Sequence, residues 1–416
     1  MACDILIIGA GLAGLYCARE ILKHNPNKSV MVCEKYKKMG GRAVTYQKDG
    51  HQWEIGAGRI SDSHKMVHAL IKEYGLHTVP IEGGLQYRET GSADYEENHF
   101  EPAIDVFLGP LQMLPHKILA ENTLKEVLYD VYGPGATHKW MDRFPYHAEV
   151  VVMRADMALR EFFGEMKTHA GYSICKEGLS ELVDSLASDI RKRGGALRTE
   201  YELIDAQKGH AEFYTGSWKN GATRPKTSIS AKKIILALHA SALQKLPSFR
   251  RWAPLNDVIM SPLLRIYAVF PVFSTKGAWF KGLPRIVTTS PIRYFLPMSE
   301  EKGTAMVSYT DNIYAEHYMK ILDAKGGKGL ENAVMTDLRK LFPEREIPDP
   351  TFFKAHPWTD GVSYWLPGNY RPETVTEEVL NPFPGIYVCG ESFSLRQGWM
   401  EGALEHAALL LRTHFR

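Results

Sequence analysis

The sequence predicts an α/β protein in which a three-layer, Rossmann-like domain with a parallel sheet is interleaved with an α+β domain. The first observation is an apolar run, residues 5–8, that leads directly into a glycine-rich turn. The second is the order of strand, helix, strand and acid that ends at Glu34. The third is that similar strand and helix patterns return near the middle and at the end of the chain. The chain is therefore expected to cross between two domains several times.

The glycine-rich turn has the spacing of a dinucleotide-binding fingerprint. Residues 5–8 have the composition of a buried parallel strand, and Gly9, Gly11 and Gly14 follow them as G-x-G-x-x-G. Gly9 permits the tight turn, Gly11 lets a pyrophosphate approach the backbone, and Gly14 lets helix and strand pack closely. The free N–H groups at the start of the following helix favour the phosphate charge.

An acidic residue follows the second predicted strand. Residues 30–32 form this strand, and Glu34 stands at its end, 20 residues beyond Gly14. Its carboxylate can accept hydrogen bonds from ribose hydroxyls, and it would repel a 2′-phosphate. A glycine-rich turn without a ligand is the alternative, but strand, helix, strand and acid in this order favour a dinucleotide site.

The stretch K-K-M-G-G-R-A-V-T-Y favours FAD over NAD. Gly40 and Gly41 allow close approach, and Arg42 can pair with a phosphate. With this stretch the sequence resembles the flavin-dependent amine oxidases, which include monoamine, polyamine and L-amino acid oxidases. In that family a G-G-R-x-x-T element supports FAD, and residues 40–45 match it. The resemblance implies non-covalent FAD, because residues 356–370 lack the cysteine that links FAD in monoamine oxidases.

Two later segments extend the resemblance. Residues 171–207 contain a glycine, an amphipathic helix and a strand, and residues 386–411 contain a short strand, a glycine–acid pair and a helix. In the family these segments meet the adenine, the ribityl-phosphate portion and the pyrimidine end of the flavin. The resemblance implies cofactor contacts from Leu203, Gly390, Glu391, Gly398, Trp399 and Met400. Gly-Trp at the last position is more similar to L-amino acid oxidases than to monoamine oxidases.

The motifs divide the chain into two interleaved domains. Residues 1–61, 171–248 and 351–416 are assigned to the FAD-binding domain, and residues 62–170 and 249–350 to the substrate-binding domain. A formal net charge of +2 argues against a nucleic-acid partner. The five cysteines are scattered, and no apolar run has the length of a membrane span. We therefore expect a cytoplasmic protein without metal site or membrane anchor, with a homodimer as one candidate assembly.

Arg59 follows a turn of small residues, Gly56, Ala57 and Gly58. In L-amino acid oxidases a similar G-x-M-R turn carries the arginine that binds the substrate carboxylate, and here Gly58 replaces the methionine. A guanidinium pairs with a carboxylate through two parallel hydrogen bonds, which provides orientation as well as charge. The resemblance therefore implies that Arg59 holds an amino-acid substrate. The alternative is that Arg59 binds an FAD phosphate or an internal acid, and both Gly58 and Arg59 are predicted to lie at the cofactor.

Four further residues complete the predicted catalytic site. The resemblance places Tyr294 near the substrate carboxylate, with simple packing as the alternative, and it places Trp358 beside the dimethylbenzene side of the flavin. Trp399 is the second predicted aromatic wall. Arg265 stands where the family has a lysine that is bridged through water to flavin N5. An arginine cannot lend its proton, so this departure puts oxygen as the physiological acceptor in question.

These motifs predict an FAD-dependent enzyme that oxidises the C–N bond of an amine, foremost of an L-amino acid. The resemblance implies hydride transfer to flavin N5, hydrolysis of the resulting imine and reoxidation by dioxygen with release of hydrogen peroxide. Polyamine or monoamine oxidation is the nearest alternative. A desaturase or protoporphyrinogen-type oxidase acting on a large apolar substrate, and a flavoprotein without catalytic activity, are the other two.

Overall fold

Two seven-stranded sheets carry the architecture. The computed structural model describes residues 1–81, 84–92, 94–97, 103–166, 171–217 and 224–415. Two smaller sheets and the helices connect the large ones. None of the described helices has the length and apolarity needed to cross a bilayer.

The first sheet is a parallel sheet that continues into an antiparallel pair. Its strands are β1 (Ala2–Ile8), β2 (Val30–Cys33), β10 (Ala196–Arg198), β11 (Tyr201–Gln207), β12 (His210–Thr215), β13 (Lys226–Leu236) and β19 (Ile386–Val388). β1 pairs in parallel with β2 and β13, whereas β11 and β12 run antiparallel. Leu6 and Ile8 pack into one core, and Ile5 and Ile7 into another. Both faces of the sheet are covered, which explains the continuous apolar run in β1.

Helices cover both faces of this sheet. α1 (Leu12–His24), α7 (Leu179–Lys192) and α11 (Met400–His414) share one core with β1 and β2. α8 (Ala240–Gln244) and α10 (Pro372–Glu378) contribute to the core on the opposite face. The arrangement gives the three layers that the fingerprint predicts, and the start of α1 lies at the carboxyl end of β1, where ligands bind in such folds.

The second sheet is mostly antiparallel. Its strands are β7 (Leu85–Arg88), β8 (Glu96–Glu97), β14 (Val258–Val269), β15 (Arg285–Thr288), β16 (Tyr294–Ser299), β17 (Thr304–Asp311) and β18 (Phe352–Trp365), in the spatial order β18-β14-β17-β16-β15-β7-β8. One face packs against α9 (Asn312–Leu341), through Leu264 and Ile266 among others. The other face carries Leu263, Tyr267 and Tyr309, which belong to the core shared with the first sheet.

Strand β18 differs from the expected domain division. The sequence assigns residues 351–416 to the FAD-binding domain, yet β18 pairs with β14 along most of its length. Its 14 residues span about 46 Å at roughly 3.3 Å per residue, long enough to reach from one domain into the other. The first part of this segment therefore belongs to the second sheet, and the remaining domain boundaries stay a prediction.

The remaining elements lie mainly between and beside the two sheets. β3 (Thr45–Lys48) and β4 (His51–Glu54) form a hairpin, and β5 (Ile60–Ser61), β6 (Thr78–Pro80) and β9 (Tyr172–Cys175) form a three-stranded sheet. The other helices are α2 (Lys65–Glu73), α3 (His116–Glu121), α4 (Leu124–Met141), α5 (Ala148–Val151) and α6 (Ala155–Glu161). Arg59 thus lies on the short link between β4 and β5.

Candidate active site

A cavity of about 750 Å³ is lined by residues of both large sheets. It brings together most of the residues that the sequence singles out. The predicted residues that line it are Gly9, Gly11, Glu34, Gly41, Arg42, Gly58, Arg59, Leu203, Arg265, Trp358, Gly390, Glu391, Gly398, Trp399 and Met400. Gly14 and Tyr294 do not line it. The cavity therefore joins segments that are up to about 390 residues apart in the chain.

The three fingerprint glycines have different roles. Gly9 has φ +102°, and a Cβ atom there would collide with the Ala237 carbonyl. A Cβ atom on Gly14 would collide with the Gly9 carbonyl. Gly9 is therefore required by the close approach of the chain that follows β13, and Gly14 by the packing of α1 against the turn after β1. A Cβ atom on Gly11 would meet nothing closer than the Gly40 oxygen at 3.9 Å. Gly11 therefore keeps open space at the start of α1, where no side chain caps the helix and its free N–H groups can bind phosphate.

Glu34 is held rigidly at the end of β2. Its Oε2 accepts a hydrogen bond from the Ala10 N–H at 2.8 Å, and its Oε1 accepts one from the Tyr36 N–H at 2.9 Å. Burial raises the pKa of this carboxyl, and the backbone hydrogen bonds oppose that shift. Each carboxylate oxygen has more than one acceptor site. Glu34 can therefore accept ribose hydroxyls while it keeps its backbone partners.

Arg42 and Glu391 form an ion pair at the cavity wall. Arg42 Nη2 lies 2.8 Å from Glu391 Oε2, and Arg42 Nη1 donates to the Gly361 carbonyl at 3.0 Å. Glu391 also accepts hydrogen bonds from the Ser363 N–H and the Gly398 N–H. The pair thus ties three distant segments together. The predicted phosphate contact of Arg42 stays a prediction, because its guanidinium already has two protein partners.

His239 offers a free ring nitrogen to a ligand in the cavity. His239 lines the cavity, and its buried Nδ1 has no hydrogen-bond partner in the described part of the chain. Burial and the nearby Arg42 lower its pKa to about 4, so the ring is neutral at pH 7. A neutral ring nitrogen can donate or accept one hydrogen bond. Open space at Gly11, the acid at Glu34 and this unpartnered nitrogen fit a bound dinucleotide.

Arg59 lies in the cavity against three aromatic rings. Its Cζ is 5.2 Å from the ring centres of both Tyr146 and Tyr172 and 5.6 Å from that of Trp399. Among the described residues Arg59 has no hydrogen bond and no ion pair. Aromatic faces attract a cation without neutralising its charge. Arg59 lowers the pKa of Glu161 electrostatically, but among the described residues it forms no ion pair, so its guanidinium can still take an anionic ligand.

Arg265 and Gly58 lie against each other. Arg265 is 7% exposed, its Nη1 donates to the Glu54 carbonyl at 3.2 Å, and its Cζ is 4.5 Å from the Tyr309 ring centre. A Cβ atom on Gly58 would lie 3.0 Å from Arg265 Nη1. The two departures noted in the sequence, glycine for methionine and arginine for lysine, are therefore neighbours. The missing side chain at position 58 makes room for the larger guanidinium.

Tyr294 is buried and does not line the cavity. It is 4% exposed, and its ring centre lies 6.5 Å from that of Tyr309, which does line the cavity. The reason is the strand order, because β17 lies between β14 and β16. Tyr309 therefore lines the cavity, whereas Tyr294, one strand further from β14, does not. The predicted contact of Tyr294 with a carboxylate stays a prediction.

The two predicted tryptophans have fixed ring orientations. Trp358 Nε1 donates to the Ile55 carbonyl at 2.6 Å. Trp399 Nε1 donates to a Glu161 carboxylate oxygen, and its ring stacks on Tyr172 with 6.0 Å between centres. Since both indole N–H groups are occupied by the protein, the rings offer apolar faces to the cavity.

Besides Glu202 and Asp360, three carboxylates that the sequence predictions do not include line the cavity: Glu149, Glu161 and Asp311. Burial, together with the nearby Asp311, raises the pKa of Glu149 to about 8. Burial also raises the pKa of Glu161 to about 7 and that of Asp311 to about 6. Asp311 could have been suspected from the sequence, because it directly follows a run rich in β-branched and apolar residues, 304–310, that is typical of a buried strand. The other two lie in a region without a recognisable motif.

These carboxylates predict an unusual pH dependence of stability. A carboxyl whose pKa is raised by folding stabilises the protein below its unfolded pKa, and this contribution is lost as the pH rises through the folded pKa. With FAD saturating throughout, we expect the melting temperature to fall between pH 5 and pH 8.5, and to fall less in Glu149→Gln. Scanning calorimetry measures both slopes, with the exposed Glu346→Gln as the charge-matched control. Equal slopes in wild type and Glu149→Gln would contradict the assignment.

Comparison with known proteins agrees with the geometry. The family model of flavin-containing amine oxidoreductases matches residues 12–409. Aplysianin-A of Aplysia kurodai is 24% identical, and the alignment covers 99% of this chain and 90% of that protein. L-amino-acid oxidase of Bothrops pauloensis is 35% identical over 74 residues, which are 17% of this chain and 14% of that protein.

Solved structures share the fold. A mutant of putrescine oxidase with redesigned cofactor binding superposes with a TM-score of 0.74 at 15% identity, and 99% of this chain and 100% of that chain are covered. Cyclohexylamine oxidase from Brevibacterium oxydans IH-35A gives 0.72 at 17% identity, with 100% of both chains covered. At these identities the likeness concerns the fold alone. The predicted α/β class, with a Rossmann-like domain and a substrate domain, is confirmed.

Proposed function

The chain belongs to the flavin-containing amine oxidoreductases, and from this premise we propose that it oxidises the C–N bond of an L-α-amino acid whose carboxylate binds Arg59. The main support for this proposal is the environment of Arg59. Its guanidinium lies in the cavity against three aromatic rings and has no ion pair among the described residues. The short match to the L-amino-acid oxidase of Bothrops pauloensis supports the same class.

FAD, bound non-covalently, is the cofactor, as the sequence predicts. When bound, FAD accepts the hydride and its electron pair from the substrate α-carbon. We assign the pyrophosphate to the open space at Gly11 and the start of α1, and the adenosine ribose to Glu34. The flavin is assigned to the end of the cavity lined by Trp358 and by residues 398–400.

Residues of this chain orient the substrate and exclude water. Arg59 would hold the carboxylate through two N–H groups, which fixes the direction in which the α-carbon points. Trp358 and Trp399 would wall the reacting group, and the hydrogen bonds of their N–H groups keep both rings in place. After oxidation of the amine, water adds to the imine, so that a 2-oxo acid and ammonium leave the site.

The proposal includes dioxygen as the electron acceptor, with hydrogen peroxide as its product. It also includes a cytoplasmic location, which agrees with the five free cysteines, and a homodimer as one candidate assembly. Arg265 bears on the choice of acceptor, since its guanidinium donates to the Glu54 carbonyl and has no proton to lend.

A polyamine or monoamine substrate is the second candidate. The three cavity carboxylates favour it, because they suit a cationic ligand. It would leave Arg59 without a partner, which is why we place it second. Large apolar substrates, such as those of desaturases, are disfavoured by the charged groups in the cavity.

Anaerobic mixing of the holoenzyme with defined substrates tests the proposal. We expect L-amino acids to bleach the flavin absorbance at least 100-fold faster than the amines obtained from them by decarboxylation, since only the acids engage Arg59. Admission of air should then restore the absorbance and release peroxide, with substrate-free holoenzyme as the control. Faster bleaching by the amines would overturn the carboxylate assignment and favour the second candidate.

A further inference from the structure

We propose that Glu149 and Asp311 form a cation site for the substrate side chain, so that the substrate is an α-amino acid with a second amine or a guanidinium group. This inference rests on the proposed function, because it assumes that the substrate carboxylate binds Arg59. It adds that the same cavity selects the far end of the molecule by its positive charge.

Unpartnered polar atoms mark the position of the cation site. Glu149 Oε2 is buried and has no hydrogen-bond partner in the described part of the chain, and the same holds for the hydroxyl of Tyr146. Tyr146 is 7% exposed, and both residues line the cavity. Buried polar groups normally have partners, and a missing partner indicates a ligand or an ordered water at that position. A protonated amine could supply donors to Glu149 and to the phenol oxygen.

The carboxylates themselves are fixed by the protein. Asp311 accepts hydrogen bonds from the backbone N–H of His147 at 2.9 Å and of Ala148 at 2.7 Å. Tyr364 lies beside Glu149 and favours its ionised form, which opposes the rise in the pKa of Glu149. Among the described residues neither carboxylate has an ion pair with a lysine, arginine or histidine. The pair is therefore oriented in advance and still lacks a cation.

Charges around the pair favour a bound cation. Glu149 and Asp311 interact unfavourably with each other, and Glu161 adds to the repulsion at Glu149. Arg293 favours the ionised form of Asp311 and so lowers the pKa of that carboxyl. Burial lowers the pKa of the adjacent His147 to about 4, so this ring is neutral at pH 7. Other titratable groups facing the pair are Tyr146, Tyr309 and Tyr364. Two nearby carboxyls share a proton at neutral pH unless a cation lets both ionise.

Tyr146 links Arg59 to the cation site. Arg59 packs on the Tyr146 ring at 5.2 Å, and Tyr146 directly precedes the two backbone N–H groups that hold Asp311. The Tyr146 ring also contacts Tyr309, with 5.3 Å between centres. A ligand with a carboxylate and a distant cation matches both charges. A neutral amino acid would leave Glu149 unpaired, and a diamine would leave Arg59 unpaired.

Equilibrium binding separates the two charge contacts. The probes are 6-aminohexanoate and hexanoate, which share the carboxylate and the chain length, and calorimetry with the holoenzyme measures both. We expect 6-aminohexanoate to bind on the order of 100-fold more tightly than hexanoate, and Glu149→Gln to abolish this preference. Titrations in two buffers of different ionisation enthalpy should detect proton release with 6-aminohexanoate in wild type only. Glu346→Gln, at an exposed position, should behave as wild type.

Kinetics then separate failure of this inference from failure of the proposed function. We expect kcat/KM for L-lysine to exceed that for L-norleucine about 100-fold, and Glu149→Gln to remove the difference by lowering only the L-lysine value. Equal rates for both amino acids in wild type would overturn the cation site and leave the role of Arg59 intact. An equal loss for both substrates in Glu149→Gln would also overturn it, since Glu149 would then serve every substrate. Faster oxidation of cadaverine than of L-lysine would overturn the proposed function itself.

Discussion

Arg59→Met is expected to lower kcat/KM for an L-α-amino acid roughly 10³-fold, while it leaves kcat/KM for the corresponding decarboxylated amine unchanged or higher. The size follows from the loss of one partner of a buried, hydrogen-bonded charge pair, which costs about 2–5 kcal/mol. The asymmetry follows because only the amino acid carries the carboxylate that Arg59 would bind. Anaerobic flavin reduction with both substrates measures the two values in one experiment.

Two further variants test whether the effect of Arg59→Met comes from the guanidinium at this position. Arg59→Lys keeps the charge but loses the two parallel N–H groups, so we expect an intermediate loss for the amino acid. Arg250→Met removes an arginine at an exposed position and should change neither substrate. The flavin absorbance of purified Arg59→Met should match that of wild type, which shows that FAD is still bound. An equal loss for amine and amino acid would instead assign Arg59 to the cofactor.

Features set by neighbours in the chain could be predicted from the sequence. Gly9 and Gly14 are required by contacts within the first strand–helix unit and with the adjacent β13 end, and Glu34 ends the next strand. These local patterns repeat the same geometry wherever strand, turn and helix occur in this order. The residues predicted to hold FAD, except Gly14, therefore line one cavity.

Features set by long-range packing could not be predicted. Arg42 meets Glu391, which lies 349 positions further on, and the sequence gives no reason to pair them. Tyr294 and Tyr309 lie on adjacent strands, and only the strand order decides which of them reaches the cavity. Glu149 belongs to a four-residue helix without any motif. Strand order and the choice of distant partners are tertiary properties, on which periodicity carries little information.

The contact of Gly58 with Arg265 shows how two apparent departures can depend on each other. Taken singly, glycine for methionine weakens the match to the substrate-binding turn, and arginine for lysine weakens the match to an oxidase. Together they fill one volume, because Arg265 Nη1 lies 3.0 Å from where a Gly58 Cβ would be. Substitutions in contact are expected to be energetically coupled. Gly58 and Arg265 should therefore be compared with the family together, as one coupled change, and not as two independent mismatches.

Gly11→Ala is expected to fold normally and to bind FAD on the order of 100-fold more weakly. An alanine fits the backbone at this position, where φ is −76°, and its Cβ would meet no protein atom within 3.9 Å. It would project into the space that we assign to the pyrophosphate, where the backbone must be approached closely. The ratio of flavin to protein absorbance after purification and a fluorescence titration of apoprotein with FAD measure the loss. Circular dichroism monitors the fold.

Gly14→Ala is the control that shows how FAD binding is lost when the fold itself is damaged. Its Cβ would collide with the Gly9 carbonyl inside the protein, so this variant should lose helix packing and stability together with FAD. A folded Gly11→Ala without flavin, beside a destabilised Gly14→Ala, would separate a glycine needed for the ligand from one needed for the fold. If Gly11→Ala retained FAD with wild-type affinity, the pyrophosphate could not lie at this turn. The cofactor would then have to be held by Glu34 and the segments at residues 40–42 and 390–400 alone, which is a different mode of binding from the one that the fingerprint implies.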